Sequence, residues 1–373
     1  MQPFRAARGR TGMNRRKPPR TRCLTLLLLG AATASSMAGA PAAPERPDGY
    51  KLEAGPWKAA SEDLTLRDNR RQKDLEVTVR YPALAADAAG CFPMVVFSHG
   101  AGGSRAAFAN LTAHWASHGY IVVLPTHSDS VELRRRRGQD VSYLRRDLNL
   151  LIRDVKPFER LADVMFLIDA IGLLEGRVAG LRDGRGSGRV DRDRTGVAGH
   201  SAGALTAQMA AGVKVLGSTP GAPFAVRSVG DPRIDAAVVI SGQGTTNRML
   251  ADASWSELST PLLAITGSKD VAAIGNETPA SRREPFEKAK PGDKYLVFIE
   301  GATHSSYQGR GRTLGLDPSV PTDQQLQMIT EVTGAATLAF LDLYLKNDAG
   351  ARAYLRSDAL VAFRGMKATL ERK

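Results

Sequence analysis

The sequence predicts an α/β protein built on one mostly parallel central sheet flanked by helices. Short apolar runs alternate with helical stretches from residue 75 to residue 345. Most of those runs are continuous rather than alternating in polarity, as expected of strands covered on both faces. Parallel neighbours also need a crossover connection, which the intervening helical stretches supply.

The first strand is expected at 75–81, where Leu75, Val77, Val79 and Tyr81 alternate with polar residues as in a half-buried strand. Residues 94–97 form a continuous apolar strand, and 106–117 reads as a helix closed by Gly119. The next buried strand is 121–124. A charged connection then leads to a helix over 160–174, a strand at 196–198 and a helix opening after Ser201. Residues 236–240, 262–266 and 295–299 are three further strands, and the last helix runs over 324–345. The basic, Gly-rich stretch 182–194 reads as a surface loop.

Charge is unevenly placed. The 373 residues hold 51 Lys and Arg against 38 Asp and Glu, a formal charge of +13. Eight of the basic residues lie in 1–38, where no acidic residue occurs; without them 43 face 38, leaving +5. This segment has a basic stretch, an apolar run over 24–34 too short for a bilayer span, and the small residues Ser36-Met37-Ala38. We read 1–38 as a removed signal peptide, 39–60 as an Ala-, Pro- and Gly-rich linker, and 61–373 as one catalytic domain exported to the periplasm or beyond. No later stretch approaches eighteen unbroken apolar residues, so no transmembrane segment is expected in the mature chain. Cys91 is then the mature chain's lone cysteine, expected as a small packed side chain.

The strongest chemical signal is Gly199-His200-Ser201-Ala202-Gly203, set between an apolar strand and an Ala-rich helix. This is a G-x-S-x-G elbow, in which a serine sits on a strained turn and glycines let strand and helix approach. A serine hydroxyl needs a base, and the expected order is Ser, Asp, His. One of the six histidines follows Ser201: His304, just after the strand at 295–299. Asp270 follows the strand at 262–266 and would orient that imidazole. Asp235 and Asp252 compete, but Asp235 precedes its strand and Asp252 lies in a helical-looking stretch. The loop 98–103, Ser-His-Gly-Ala-Gly-Gly, follows the strand at 94–97 at the same sheet edge. The backbone N–H groups of Ala101 and Ala202 are the expected oxyanion donors. His99, Gly100, His127 and His200 are candidates for the surrounding pocket.

Phe97 to Gly103, the helix 160–174 with Asp163 and Asp169, Val197 to Gly203 and Thr266 to Asp270 resemble the α/β-hydrolases related to plasma platelet-activating-factor acetylhydrolase and to bacterial dienelactone-hydrolase-like esterases. Arg67-Asp68-Asn69-Arg70 followed by Val77 to Pro82 is similar to the opening of that family. The resemblance covers about residues 64–345. It implies an eight-stranded α/β-hydrolase sheet and hydrolysis of carboxylic esters, with Ser201, Asp270 and His304 as triad and Ala101 and Ala202 as oxyanion donors. Dienelactone hydrolases carry cysteine where Ser201 stands, and the acetylhydrolase commonly has a bulkier residue at Ala101 and Ala202.

No cofactor is implied. His114 and His118 share a helix-turn spacing but lack a third ligand, so no metal is expected. The stretch 127–160 suggests a partial cover, and its basic run 134–137 is interleaved with acidic residues as on a solvated, salt-bridged helix. That interleaving argues against nucleic-acid binding. The expected substrate is a small-molecule, lipid or polymer ester, with short acyl chains favoured because no large lid domain is evident. A cutinase-like polyester hydrolase and a lipase or phospholipase are the nearest alternatives. A non-catalytic binding protein of the same fold is the other class, usually marked by a broken triad.

Overall fold

The computed structural model describes residues 49–84, 89–145, 147, 149–181, 187–217, 226–272, 275–309, 321–361 and 367–373. The stretch 1–38 expected as a signal peptide lies outside the described residues. In chain order the strands are β1 (Lys58–Asp68), β2 (Lys73–Ala83), β3 (Ala89–Ser98), β4 (Ile121–Pro125), β5 (Ser187–His200), the two-residue β6 (Val215–Leu216) and β7 (Val226–Arg227), β8 (Ile234–Ile240), β9 (Leu262–Lys269), β10 (Lys294–Thr303) and β11 (Ala368–Arg372). The helices are α1 (Ala109–Ser117), α2 (Val131–Arg136), α3 (Leu150–Asp154), α4 (Pro157–Asp169), α5 (Ile171–Arg177), α6 (Ala202–Ala210), α7 (Glu284–Glu287), α8 (Asp323–Lys346) and α9 (Ala349–Arg356).

Nine strands form one sheet in the order β1-β2-β4-β3-β5-β8-β9-β10-β11. Pairing is parallel from β4 through β10 and antiparallel at both margins. This is an α/β-hydrolase fold. Successive strand residues face opposite sides, so each central strand feeds two cores. Met94, Val96, Val123, Val197, Val239 and Ala264 pack on one face with side chains of α4, α5 and α6. Val95, Phe97, Val122, Ala198, Val238 and Ile265 pack on the other with α1 and α8. Among the described residues α8 alone is long and apolar enough to cross a membrane; its apolar window is 78% buried against the rest of the protein.

Local sequence explains the α8 ends. Thr322 and Gln325 form a reciprocal capping box, and Asn347 closes the helix in the left-handed region at φ 57°. The helix expected at 160–174 instead starts at Pro157, which suits a first-turn position, and is divided at Ala170 into α4 and α5. Gly172, a weak helix former, lies just past that break. Two more differences concern sheet margins. The stretch expected as a loop at 182–194 is strand from Ser187, where 187–191 pair with 89–93 and Val190 is buried. The described part of the expected linker, 49–60, lies on the body: the Tyr50 hydroxyl donates to buried Asp342 (2.9 Å), Trp57 meets Phe92 edge-on, and β1 begins at Lys58.

Candidate active site

The elbow forms where β5 ends and α6 begins. Ser201 between them has φ 54° and ψ −122°, a backbone conformation costly for a residue with a Cβ. Its neighbours hold it there: its N–H donates to Ile240 O (3.1 Å), and its carbonyl accepts from Ala204 N–H (2.8 Å). The flanking glycines are required by space. A Cβ on Gly199 would lie 2.1 Å from Gly203 O, and one on Gly203 would lie 1.9 Å from Ser98 O. Strand, turn and helix therefore approach closely enough to lift Ser201 to the sheet's C-terminal edge.

Two loops at that edge meet it. His304, directly after β10, places Nε2 3.0 Å from Ser201 Oγ, and its Nδ1 lies 3.0 Å from Asp270 Oδ1, directly after β9. With Nδ1–H donating to the carboxylate, Nε2 is left to accept the serine proton. The two competing aspartates are elsewhere. Asp235 accepts Thr195 N–H (3.1 Å) at the start of β8, at the opposite edge, and exposed Asp252 pairs with Lys288 (2.6 Å).

Asp270 is fully buried yet well supplied with donors. Ser241 Oγ (2.7 Å) and His304 Nδ1 reach Oδ1, and Arg282 Nε, whose N–H donates to the Asp270 carbonyl (2.9 Å), forms an ion pair with Oδ1 at 3.0 Å; Thr266 Oγ1 and Tyr307 OH, both at 3.0 Å, reach Oδ2. Burial alone would raise its pKa, but the Arg282 guanidinium, followed by the bonds from His304 and Ser241, holds the carboxyl well below the usual range. Burial and Asp270 together push the Tyr307 hydroxyl up, keeping it a donor.

Ser241, Arg282 and Tyr307 escaped sequence reasoning. Ser241 directly follows β8 at φ 54°, and its Oγ also lies 2.7 Å from His304 Nδ1, bridging His304 and Asp270. Arg282, 2% exposed, donates to Ser241 O (2.6 Å) and Gly242 O (3.2 Å) as well. The one available signal was position: Ser241 directly follows an apolar strand, as Asp270 and His304 do.

Of the four expected pocket residues, Gly100 and His200 line the cavity and His99 and His127 do not. His200 donates from Nε2 to His304 O (2.8 Å); burial, then His304, pushes its pKa down to about 3. His99 and His127 lie beneath the loop 98–103, 1% and 0% exposed, because polar groups there need partners. His127 bridges Ser98 Oγ (2.9 Å) to Asp163 Oδ2 (2.8 Å), and its N–H donates to His99 Nε2 (3.0 Å). Burial, then the Arg160 charge, lowers both imidazoles' pKa. Asp163 also receives Lys73 and Arg71; burial opposes its ionisation, but the His127 bond leads the groups that hold it to about 2.

The serine opens into a cavity of about 980 Å³. Ala101 and Ala202 both line it, and a Cβ on Gly100 would lie 3.5 Å from Ser201 Cβ, so the loop runs beside Ser201. The stretch 127–160 covers one side, contributing Val131, Val141, Leu144, Leu151, Ile152, Val155 and Pro157. Phe108, Leu205 and Met249 face the same space, as do the polar Gln243, Asn247 and Gln308. In the basic run, Arg134 pairs with Asp154, and Arg136 with Glu76 (2.5 Å) and Glu132 (3.1 Å). Exposed Arg135 reaches the cavity rim, and Arg146 lies outside the described residues. His114 and His118 meet edge to face with ring centroids 4.6 Å apart, and His118 Nε2 is bonded to Glu53 O. Among the described residues no group of three or more His, Cys, Asp or Glu is placed to hold a metal ion.

Residues 74–136 match the family model of platelet-activating factor acetylhydrolase, isoform II. Over those residues the α/β-hydrolase chain is similar to that acetylhydrolase family. The matched segment runs from β2 to α2 and so includes the loop 98–103 and Ala101. Ser201, Asp270 and His304 lie beyond it, and their assignment rests on geometry. No curated protein matches the chain.

Proposed function

We propose that the protein is an exported serine hydrolase that cleaves carboxylic esters through an acyl-enzyme on Ser201. The observation that carries this reading is the hydrogen-bonded series Ser201, His304, Asp270, with 3.0 Å at each step, open to an apolar cavity. Ser201 Oγ attacks the ester carbonyl while His304 Nε2 takes its proton. Asp270 stays ionised and stabilises the imidazolium. The Ala101 and Ala202 N–H groups receive the developing oxyanion; one such donor is typically worth about 3 kcal/mol of barrier. His304 returns the proton to the leaving alcohol, and water, activated by the same imidazole, releases the acyl group from Ser201.

The apolar wall supplied by 131–157 favours a short-acyl or lipid-like ester, and the basic stretch, apolar run and small residues in 1–38 support export. Fluorophosphonate labelling abolished in Ser201→Ala tests the nucleophile; no labelling of folded wild-type protein would leave a binding protein as the better reading. A panel of 4-nitrophenyl esters from acetate to palmitate, run beside a polyester film, separates esterase from lipase and polyester hydrolase. Turnover of palmitate faster than butyrate would count against the short-acyl reading. N-terminal sequencing of secreted material tests export, and an intact residue 1 would refute cleavage.

A further inference from the structure

The loop 98–103 poses a physical problem. Gly100, Gly102 and Gly103 let its backbone pass beside Ser201, but a glycine-rich loop has little intrinsic preference for one peptide orientation. An oxyanion donor must nevertheless point one way before the reaction begins. Something outside the loop must fix it.

Arg160, on α4, lies directly beneath and is 1% exposed. Its Nη1 donates to His99 O (2.6 Å) and its Nη2 to Gly100 O (3.1 Å). The guanidinium is itself held by Asp129, with Nε to Oδ1 at 2.9 Å and Nη2 to Oδ2 at 2.7 Å. Asp129 Oδ2 also accepts the Gly102 N–H (2.9 Å), so the ion pair grips the loop by two carbonyls and one amide. Gly100 O receives two further donors, His99 Nδ1–H (2.6 Å) and Gly103 N–H (3.2 Å).

Peptide geometry turns this grip into a direction. Among the described residues no peptide bond is cis, and in a trans peptide the carbonyl of one residue and the N–H of the next point oppositely. With Gly100 O drawn down onto Arg160, the Ala101 N–H is driven up, to the side where Ser201 and the cavity lie. The Gly102 and Gly103 amides are already engaged, and among the described residues the Ala101 N–H has no acceptor.

We propose that Arg160, oriented by Asp129, is the positioning residue that aims the Ala101 N–H at the oxyanion. This rests on the serine-esterase reading above. Arg160 touches no reacting atom; it acts through the Gly100–Ala101 peptide. Losing its planar fork would leave that peptide able to rotate between its glycine neighbours, weakening transition-state binding more than ground-state binding.

The test uses Arg160→Lys, which keeps the buried charge but not the fork, and Asp129→Asn, which keeps an acceptor for Gly102 but loosens the guanidinium. Each folded variant, checked by circular dichroism, is compared with wild type on 4-nitrophenyl butyrate. It is also titrated with a trifluoromethyl ketone, which adds to the serine as a tetrahedral oxyanion, and with the matching methyl ketone, which does not. We expect kcat to fall about a hundredfold with KM within about threefold, and the trifluoromethyl ketone to weaken in proportion while the methyl ketone is unmoved. A folded variant with wild-type kcat, or one whose kcat falls without loss of trifluoromethyl ketone affinity, would overturn the proposal. Should Arg160→Lys not fold, Asp129→Asn decides. Wild-type turnover that Ser201→Ala abolishes shows that the esterase reading stands; absence of that turnover refutes the reading and this inference together.

Discussion

Acid should destabilise this protein through a histidine beside Ser201. His200 is 6% exposed, and burial pushes its pKa from 6.5 down to about 3, so the folded state keeps it neutral where the unfolded chain would protonate it. The folded pKa is depressed for a base, so stability is lost as pH falls below about 6.5 and continues to fall until about 3. At pH 5 an imidazole titrating at 6.5 is protonated about thirtyfold over neutral, which favours the unfolded chain by about 2 kcal/mol; at pH 7 the same gain is about 0.2 kcal/mol. Any folded pKa below about 4 gives nearly the same result at pH 5, so the magnitude rests on burial rather than on one value. His99 and His127 act in the same direction, whereas buried Asp163, held to about 2, gives up its stabilisation only below about pH 4. Urea unfolding of wild type and His200→Gln at pH 7 and pH 5 isolates the effect. Between these pH values wild type should lose about 2 kcal/mol more than the variant, a difference of about 0.6 M in urea midpoint shift for a slope near 3 kcal/mol/M. Equal losses in the two proteins would refute the reasoning.

Three further outcomes are expected. Ser241→Ala removes the hydroxyl bridging Asp270 and His304 while leaving the carboxylate three other donors and the Arg282 charge, so kcat on 4-nitrophenyl butyrate should drop about tenfold with KM little changed; unchanged kcat would mean the bridge is idle. Gly203→Ala places a Cβ 1.9 Å from Ser98 O, a backbone atom that cannot yield, and thermal melts should show a loss of about 3 kcal/mol or more. Leu144→Trp fills part of the apolar wall and should cut kcat/KM for octanoate several times more than for acetate, whereas an unchanged ratio would place the acyl chain outside the cover.

The elements readable in the sequence are those whose signal is local. The continuous apolar runs of β3, β4, β8 and β9 and the capping box of α8 each stand on adjacent residues. The edge strand β1 does not: KAASEDLTLRD pairs on one side only and leaves most alternate residues in water, so its pattern is too polar to stand out. The same division governs the site. Ser201 carries a motif and His304 and Asp270 a position after a strand, but Ser241, Arg282, Arg160 and Asp129 matter through partners distant in sequence, which no spacing reveals.

Among the described residues two hydrogen-bonded Ser–His–Asp series lie at one sheet edge, and chemistry alone does not tell them apart. Ser98, His127 and Asp163 are joined at 2.9 and 2.8 Å; Ser201, His304 and Asp270 at 3.0 and 3.0 Å. The difference is access. All three members of the first series are fully buried, so its serine meets no ester and its proton has nowhere to go. Ser98 ends a strand, where its Oγ turns down to His127, whereas Ser201 sits on a left-handed elbow that lifts its Oγ into the cavity. The glycines that permit that elbow, rather than the three reactive residue types themselves, decide which series can meet substrate. The buried series can then serve the other, because Ser98 opens the very loop whose Ala101 lines the cavity.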